Sequence, residues 1–150
     1  MKLVVTGALG HIGSRVIREL PLLFPRANII MIDDLSTQRY CSLFNLPPQA
    51  SYTFIQDDLL KLDLKSLFRD IDVVIHLAAI TNATKSFDNK KEVEHVNFMA
   101  SLKVAEACIT TNTKMFLISS TSVYGTQKNR WTKIAPLMNL NPRALTPPQS

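Results

Sequence analysis

The sequence predicts an α/β fold, a doubly wound parallel sheet that stops after about five strands. Three observations point there. Short β-branched runs of strand length alternate with segments of helical period. The chain holds only four glycines, and three of them, Gly7, Gly10 and Gly13, fall in one string just after the first run. The run Val73-Val74-Ile75 has no polar interruption, as a strand buried on both faces requires.

Each element has its own signal. Lys2–Thr6 is apolar and ends at a glycine, a strand. Ile12–Leu20 has helical spacing and is expected to stop near Pro21. Asn28–Asp33 is a strand ending in two aspartates, and Tyr52–Gln56 is a third strand. Leu64–Phe68 suggests a short helix. Asp72–His76 is a fourth strand. Lys91–Thr111 is a long helix with Val93, Val96, Ala100, Val104, Ala107 and Cys108 on one face. Lys114–Ser119 is a fifth strand. Residues 126–150 hold four prolines and no periodic segment, and read as a long irregular loop after a domain spanning 1–125. Strands separated by helices mean βαβ units in one parallel sheet.

Composition narrows the class. With 150 residues and 46% apolar content, the chain can bury one core. The longest apolar runs fall well short of the ~18 residues of a membrane span, and the chain opens directly on a strand, with no signal peptide expected. Cys41 and Cys108 form neither a disulfide framework nor a CxxC site, so a cytoplasmic protein with reduced thiols is expected. Three scattered histidines make no metal site. The net charge of +5 comes from the last third, where six basic residues face one acidic residue. Lys128, Arg130, Lys133 and Arg143 form no dense patch, and no nucleic-acid partner is expected.

The string Thr6-Gly7-Ala8-Leu9-Gly10-His11-Ile12-Gly13 lies between a strand and a helix, where a glycine-rich loop has meaning. Gly7 would allow the tight turn. Gly10 would let a pyrophosphate approach the backbone, and Gly13 would let the helix pack close to the sheet. The helix then offers free N–H groups and its positive dipole end, so His11 and Ile12 join the candidates. This is the Rossmann-type arrangement for a dinucleotide. Asp33, 20 residues after Gly13, can accept from ribose hydroxyls and would repel a 2′-phosphate, favouring NAD. The bland alternative is a turn cap, since Asp34 and Ser36 follow. Asp58 and Leu59, after the third strand, could bracket an adenine.

These residues together resemble the NAD-dependent epimerase/dehydratase family, the extended branch of the short-chain dehydrogenases/reductases. The glycine spacing is Gly-x-x-Gly-x-x-Gly. Asp33-Asp34-Leu35-Ser36 is similar to the acid-x-Leu-Ser run after the second strand. Val73-Val74-Ile75-His76-Leu77-Ala78-Ala79 is similar to the family's fourth strand and His-x-Ala-Ala turn. Val96-Asn97 with Ala100-Ser101 resembles its Val-Asn-x-x-Gly-Thr, and Ser119-Ser120-Thr121-Ser122-Val123-Tyr124-Gly125 its Ser-Ser-x-x-Val-Tyr-Gly. The resemblance covers residues 1 to about 125. It implies that Asp34 and Ser36 join Asp33 at the cofactor, that Leu77, Ala78 and Ala79 line the cleft, and that Asn97 supports that loop or the cofactor. It makes Ser120 the catalytic serine that hydrogen-bonds the substrate oxygen. His76 reads as a core or supporting histidine.

The family's chemistry also needs a tyrosine with a lysine four residues on, within a helix. Only Tyr124 and Lys128 have that spacing, and Gly125 at a turn argues against a helix there. The expectation is therefore the cofactor half of a longer nucleotide-sugar epimerase or dehydratase, inactive by itself. Thr121-Ser122 stand where the 4,6-dehydratases carry Asp-Glu, which leans towards an epimerase or decarboxylase. The expected partners are a nucleotide sugar in a complete enzyme and a second copy paired through the 91–111 helix. A lone copy should expose one face of the fifth strand and part of that helix. Two alternatives remain: a non-catalytic NAD-binding or sensing module, and an NADPH-dependent reductase of the same superfamily.

Overall fold

The computed structural model of the chain describes residues 1–80 and 90–118. Five strands form one sheet: β1 (Lys2–Thr6), β2 (Asn28–Asp33), β3 (Ser51–Gln56), β4 (Val73–His76) and β5 (Lys114–Leu117). All pair in parallel, in the order β3-β2-β1-β4-β5. The helices are α1 (His11–Leu23), α2 (Leu64–Leu67) and α3 (Lys90–Thr111). The order reverses at β1, between the β1–β2 and β1–β4 pairs, and this switch point is where open α/β sheets leave a crevice at the strands' carboxyl ends.

Period-two alternation sends β1 side chains to both faces. Leu3 and Val5 pack with Ile17 and Leu20 of α1 on one side. Val4 packs with Phe68, Val104 and Cys108 on the other, under α2 and α3. The buried stripe of α3 runs Ala100, Val104, Ala107, Cys108, at the spacing a 3.6-residue period demands. Phe68 and Ile17 are fully buried, so truncating either to alanine should cost about 3–5 kcal/mol.

Three elements depart from expectation. Helix α1 does not stop before Pro21 but carries it inside and runs on to Leu23. The proline lies in the last turn with its ring buried, and the Phe24 N–H still closes the turn on the Leu20 carbonyl at 2.8 Å. That packing offsets the lost backbone donor. A 3-10 turn over Tyr40–Leu43 has no counterpart in the sequence reading. Finally, β5 ends at Leu117 and Ile118 follows it outside the strand, while Ser119, the last residue of its expected length, lies outside the described residues.

The first compact unit of the chain is Met1–Leu117. The first unit carries every element named above. On its last strand the adjacent Phe116 and Leu117, which point to opposite faces, are 64% and 56% exposed, more than the one face expected, and on α3 Phe98 and Ile109 are 64% and 80% exposed.

Candidate cofactor site

The β1–α1 loop is built from its own backbone. Gly7 has φ +63°, and a Cβ there would lie 2.7 Å from the Ala78 backbone. A Cβ on Gly13 would lie 2.1 Å from the Gly7 carbonyl oxygen and 2.8 Å from Ala8. Both positions exclude any other residue on steric grounds. Gly10 differs: its Cβ would meet only the Gly7 carbonyl oxygen, at 3.3 Å, and open space otherwise. A methyl at Gly10 would press on that one backbone oxygen, a far milder conflict than at Gly7 or Gly13.

The loop's donors follow the same division. The Ala8 N–H bonds the Ile32 carbonyl, Leu9 N–H the Asp33 carboxylate at 2.9 Å, and Gly10 N–H the Gly7 carbonyl. The next donors, on His11 and Ile12, belong to the first turn of α1. That turn has no intrahelical partners for them, no side-chain cap and no acidic residue. The helix therefore presents an uncompensated positive end at the switch point.

Asp33, buried at the end of β2, accepts from Leu9 N–H with Oδ2 and from Leu35 N–H with Oδ1. It ties the glycine loop to β2. Each oxygen keeps a second lone pair, so the two backbone bonds leave the carboxylate able to accept from a hydroxyl. Asp34 caps its own turn through Ser36 N–H at 2.9 Å. Asp58 caps the turn after β3 through Leu60 N–H, and the Leu59 side chain is buried in the core with Leu64 and Phe68.

On the β4 side, Thr6 organises the mouth. Its Oγ1 accepts from Leu77 N–H at 3.2 Å and Ala78 N–H at 3.3 Å. Its own proton therefore goes to His76 Nδ1, 2.7 Å away. That fixes the imidazole tautomer, with Nε2–H donating to Ser101 Oγ on α3 at 3.2 Å. Burial pushes the His76 pKa below its ordinary value, which keeps the ring neutral. Asn97, also on α3, accepts from Ile80 N–H at 2.8 Å and donates to the Ile80 carbonyl at 3.1 Å. Of the two roles the resemblance implied for Asn97, its contacts are with the loop.

The fold thus brings Gly7, Gly10, His11, Ile12 and Gly13 of the loop to the strand ends that carry Asp33, Asp34, Ser36 and Leu77, Ala78, Ala79. Ser120 and the Ser119–Gly125 motif lie outside the described residues. The sequence does not mark Thr6, an ordinary β-branched strand residue by its pattern, as an organiser of the mouth. Among the described residues no three His, Cys, Asp or Glu side chains could hold a metal ion, and no helix is long and apolar enough to cross a membrane.

The parallel sheet with a glycine loop at its switch point defines an α/β domain of Rossmann type. The chain belongs to the NAD dependent epimerase/dehydratase family, whose sequence model matches residues 3–145. It is 37% identical over 154 residues to the uncharacterized UDP-glucose epimerase YtcB of Bacillus subtilis, covering 97% of this chain and 48% of that protein. It is similar to the solved UDP-N-acetylglucosamine 4-epimerase of Methanobrevibacter ruminantium in complex with UDP-N-acetylmuramic acid, with TM-score 0.79 and 34% identity over 95% of this chain and 44% of that one. It also resembles the UDP-glucuronic acid 4-epimerase of Bacillus cereus with UDP-glucuronic acid and NAD, with TM-score 0.71 and 32% identity over 89% and 44% of the two chains. The chain spans about half the length of these relatives.

Proposed function

We propose that the chain is the NAD-binding part of a nucleotide-sugar epimerase or dehydratase. The observation that carries this reading is Gly10: a Cβ there would meet only the Gly7 carbonyl oxygen, beside N–H groups without intrahelical partners at the positive end of α1. A diphosphate fits such a cradle, and a side chain would fill it. The His11 and Ile12 N–H groups would hold the diphosphate, Asp33 the adenosine ribose, Asp34 and Ser36 the turn beside it. Asp58 and Leu59 would border the adenine, with the burial of Leu59 leaving its backbone as the contact. Leu77, Ala78 and Ala79 would wall the cleft, kept in place by Thr6 and Asn97. Asp33 favours NAD over NADP, because a 2′-phosphate beside a buried carboxylate is repelled.

Bound NAD supplies a hydride acceptor for the oxidation of a sugar hydroxyl. Within this chain, Ser120 would hydrogen-bond the substrate oxygen as its charge changes. Apart from Tyr124 and Lys128, which Gly125 at a turn argues against, no tyrosine in these 150 residues has a lysine four positions on to remove the hydroxyl proton, and on this reading the chain by itself binds cofactor without turnover. The exposed Phe98, Leu102 and Ile109 of α3 support pairing with a second copy along that helix.

Calorimetric titration of the 150-residue chain tests the reading. NAD should bind more tightly than NADP, and UDP-glucose with NAD should give no product. Absence of NAD binding, or a preference for NADP, would sink it.

A further inference from the structure

We propose that Arg39 is a phosphate-binding residue, held beside the first turn of α1 to contact the diphosphate of the bound dinucleotide. The inference rests on the NAD-binding reading and adds a residue that no motif of the sequence assigns.

Arg39 lies in the segment after β2, six residues beyond Asp33. Its Nη1 and Nη2 lie 2.9 and 2.6 Å from the two ring nitrogens of His11, the residue that opens α1. A neutral imidazole offers one lone pair, so only one of these contacts is a hydrogen bond, and most guanidinium donors stay free. Arg39 has no carboxylate partner among the described residues, where the ion pair is Arg15 with Glu19. A cation beside the positive end of a helix is electrostatically unfavourable on its own. An anion between them reverses the sign of both interactions.

The placement is enforced from behind. Arg18, on the second turn of α1, donates to the Ser42 carbonyl at 3.0 Å and the Phe44 carbonyl at 2.9 Å, as well as to Ser14 on its own helix. Buried Ser42 donates its hydroxyl to the Leu9 carbonyl in the glycine loop. The 3-10 turn that follows Arg39 is therefore docked onto both α1 and the loop. A guanidinium already fixed in position loses little freedom when it binds a phosphate, and its planar fork matches phosphate oxygens.

The test compares wild-type chain, Arg39→Gln and Arg39→Lys by calorimetry with NAD, NADP, ADP and adenosine, alongside thermal melts. Arg39→Gln should weaken NAD and ADP by about tenfold or more, the loss of one charge-assisted contact. Adenosine binding and melting temperature should stay within error, and Arg39→Lys should recover part of the loss. Raising salt should weaken ADP binding in the wild type more than in Arg39→Gln. Equal ADP affinity in wild type and Arg39→Gln would overturn the proposal while leaving the NAD reading intact. A loss confined to NADP would place Arg39 at a 2′-phosphate and also overturn it. Failure of the wild type to bind NAD and ADP would overturn both.

Discussion

At the inner end of the β1–α1 loop, Gly7 and Gly13 are pressed against backbone, with a Cβ at either falling within 2.8 Å of protein atoms. Three residues away, at the outer end, a Cβ on Gly10 would meet only the Gly7 carbonyl oxygen at 3.3 Å, and the helix that follows opens on His11, which Arg39 contacts. The inner end also carries the Thr6–His76–Ser101 chain of hydrogen bonds, with Thr6 and His76 buried. The outer end has exposed donors and no cap. One residue type thus has two causes within seven positions: at the inner end glycine serves the fold, and at the outer end it serves a ligand.

Substitutions should separate the two ends. Gly13→Ala forces a methyl into the Gly7 carbonyl and should cost about 4 kcal/mol, close to the whole stability of a small domain, read as loss of a cooperative melt. Thr6→Val removes the acceptor for Ala78 N–H and the donor to His76, while Leu77 N–H keeps the Thr6 carbonyl; a loss of about 2 kcal/mol is expected in denaturant titrations. Gly10→Ala should leave stability within about 1 kcal/mol of wild type, yet weaken NAD by about tenfold or more, equivalent to 1.4 kcal/mol. A Gly10→Ala variant that unfolds, or one that binds NAD normally, would erase the distinction.

The smallest effect is on pH dependence. The folded His76 pKa lies below its ordinary 6.5 because of burial, so the unfolded chain takes up the proton more readily. Its contribution to stability is complete above about 6.5 and is lost as pH falls through the folded value. His76→Asn should flatten that part of the stability–pH curve, while Gly10→Ala should keep it.

The inner end was largely legible in the sequence, and the outer end only in part. The strands of the sheet centre announce themselves because β1 and β4 are buried on both faces and must be apolar throughout. Glycine spacing between a strand and a helix identified the loop, since steric exclusion acts over a few residues. The hydrogen bonds of Thr6 to His76 and of Arg39 to His11 join residues 70 and 28 positions apart, and no local pattern records such pairings. Pro21 misled because its backbone penalty is local while the burial that offsets it is tertiary. The pattern marks Asp33 for its carboxylate alone, and its two bonds to Leu9 and Leu35 show that it also holds the loop together.

The central claim is that the β1–α1 loop is a dinucleotide site whose outer glycine belongs to the ligand. The direct measurement is calorimetric titration of NAD into the wild-type chain and Gly10→Ala, with a thermal melt of each. The account predicts saturable NAD binding by the wild type, and a variant that melts like it but binds about tenfold or more weakly. Equal binding by two equally folded proteins would contradict it.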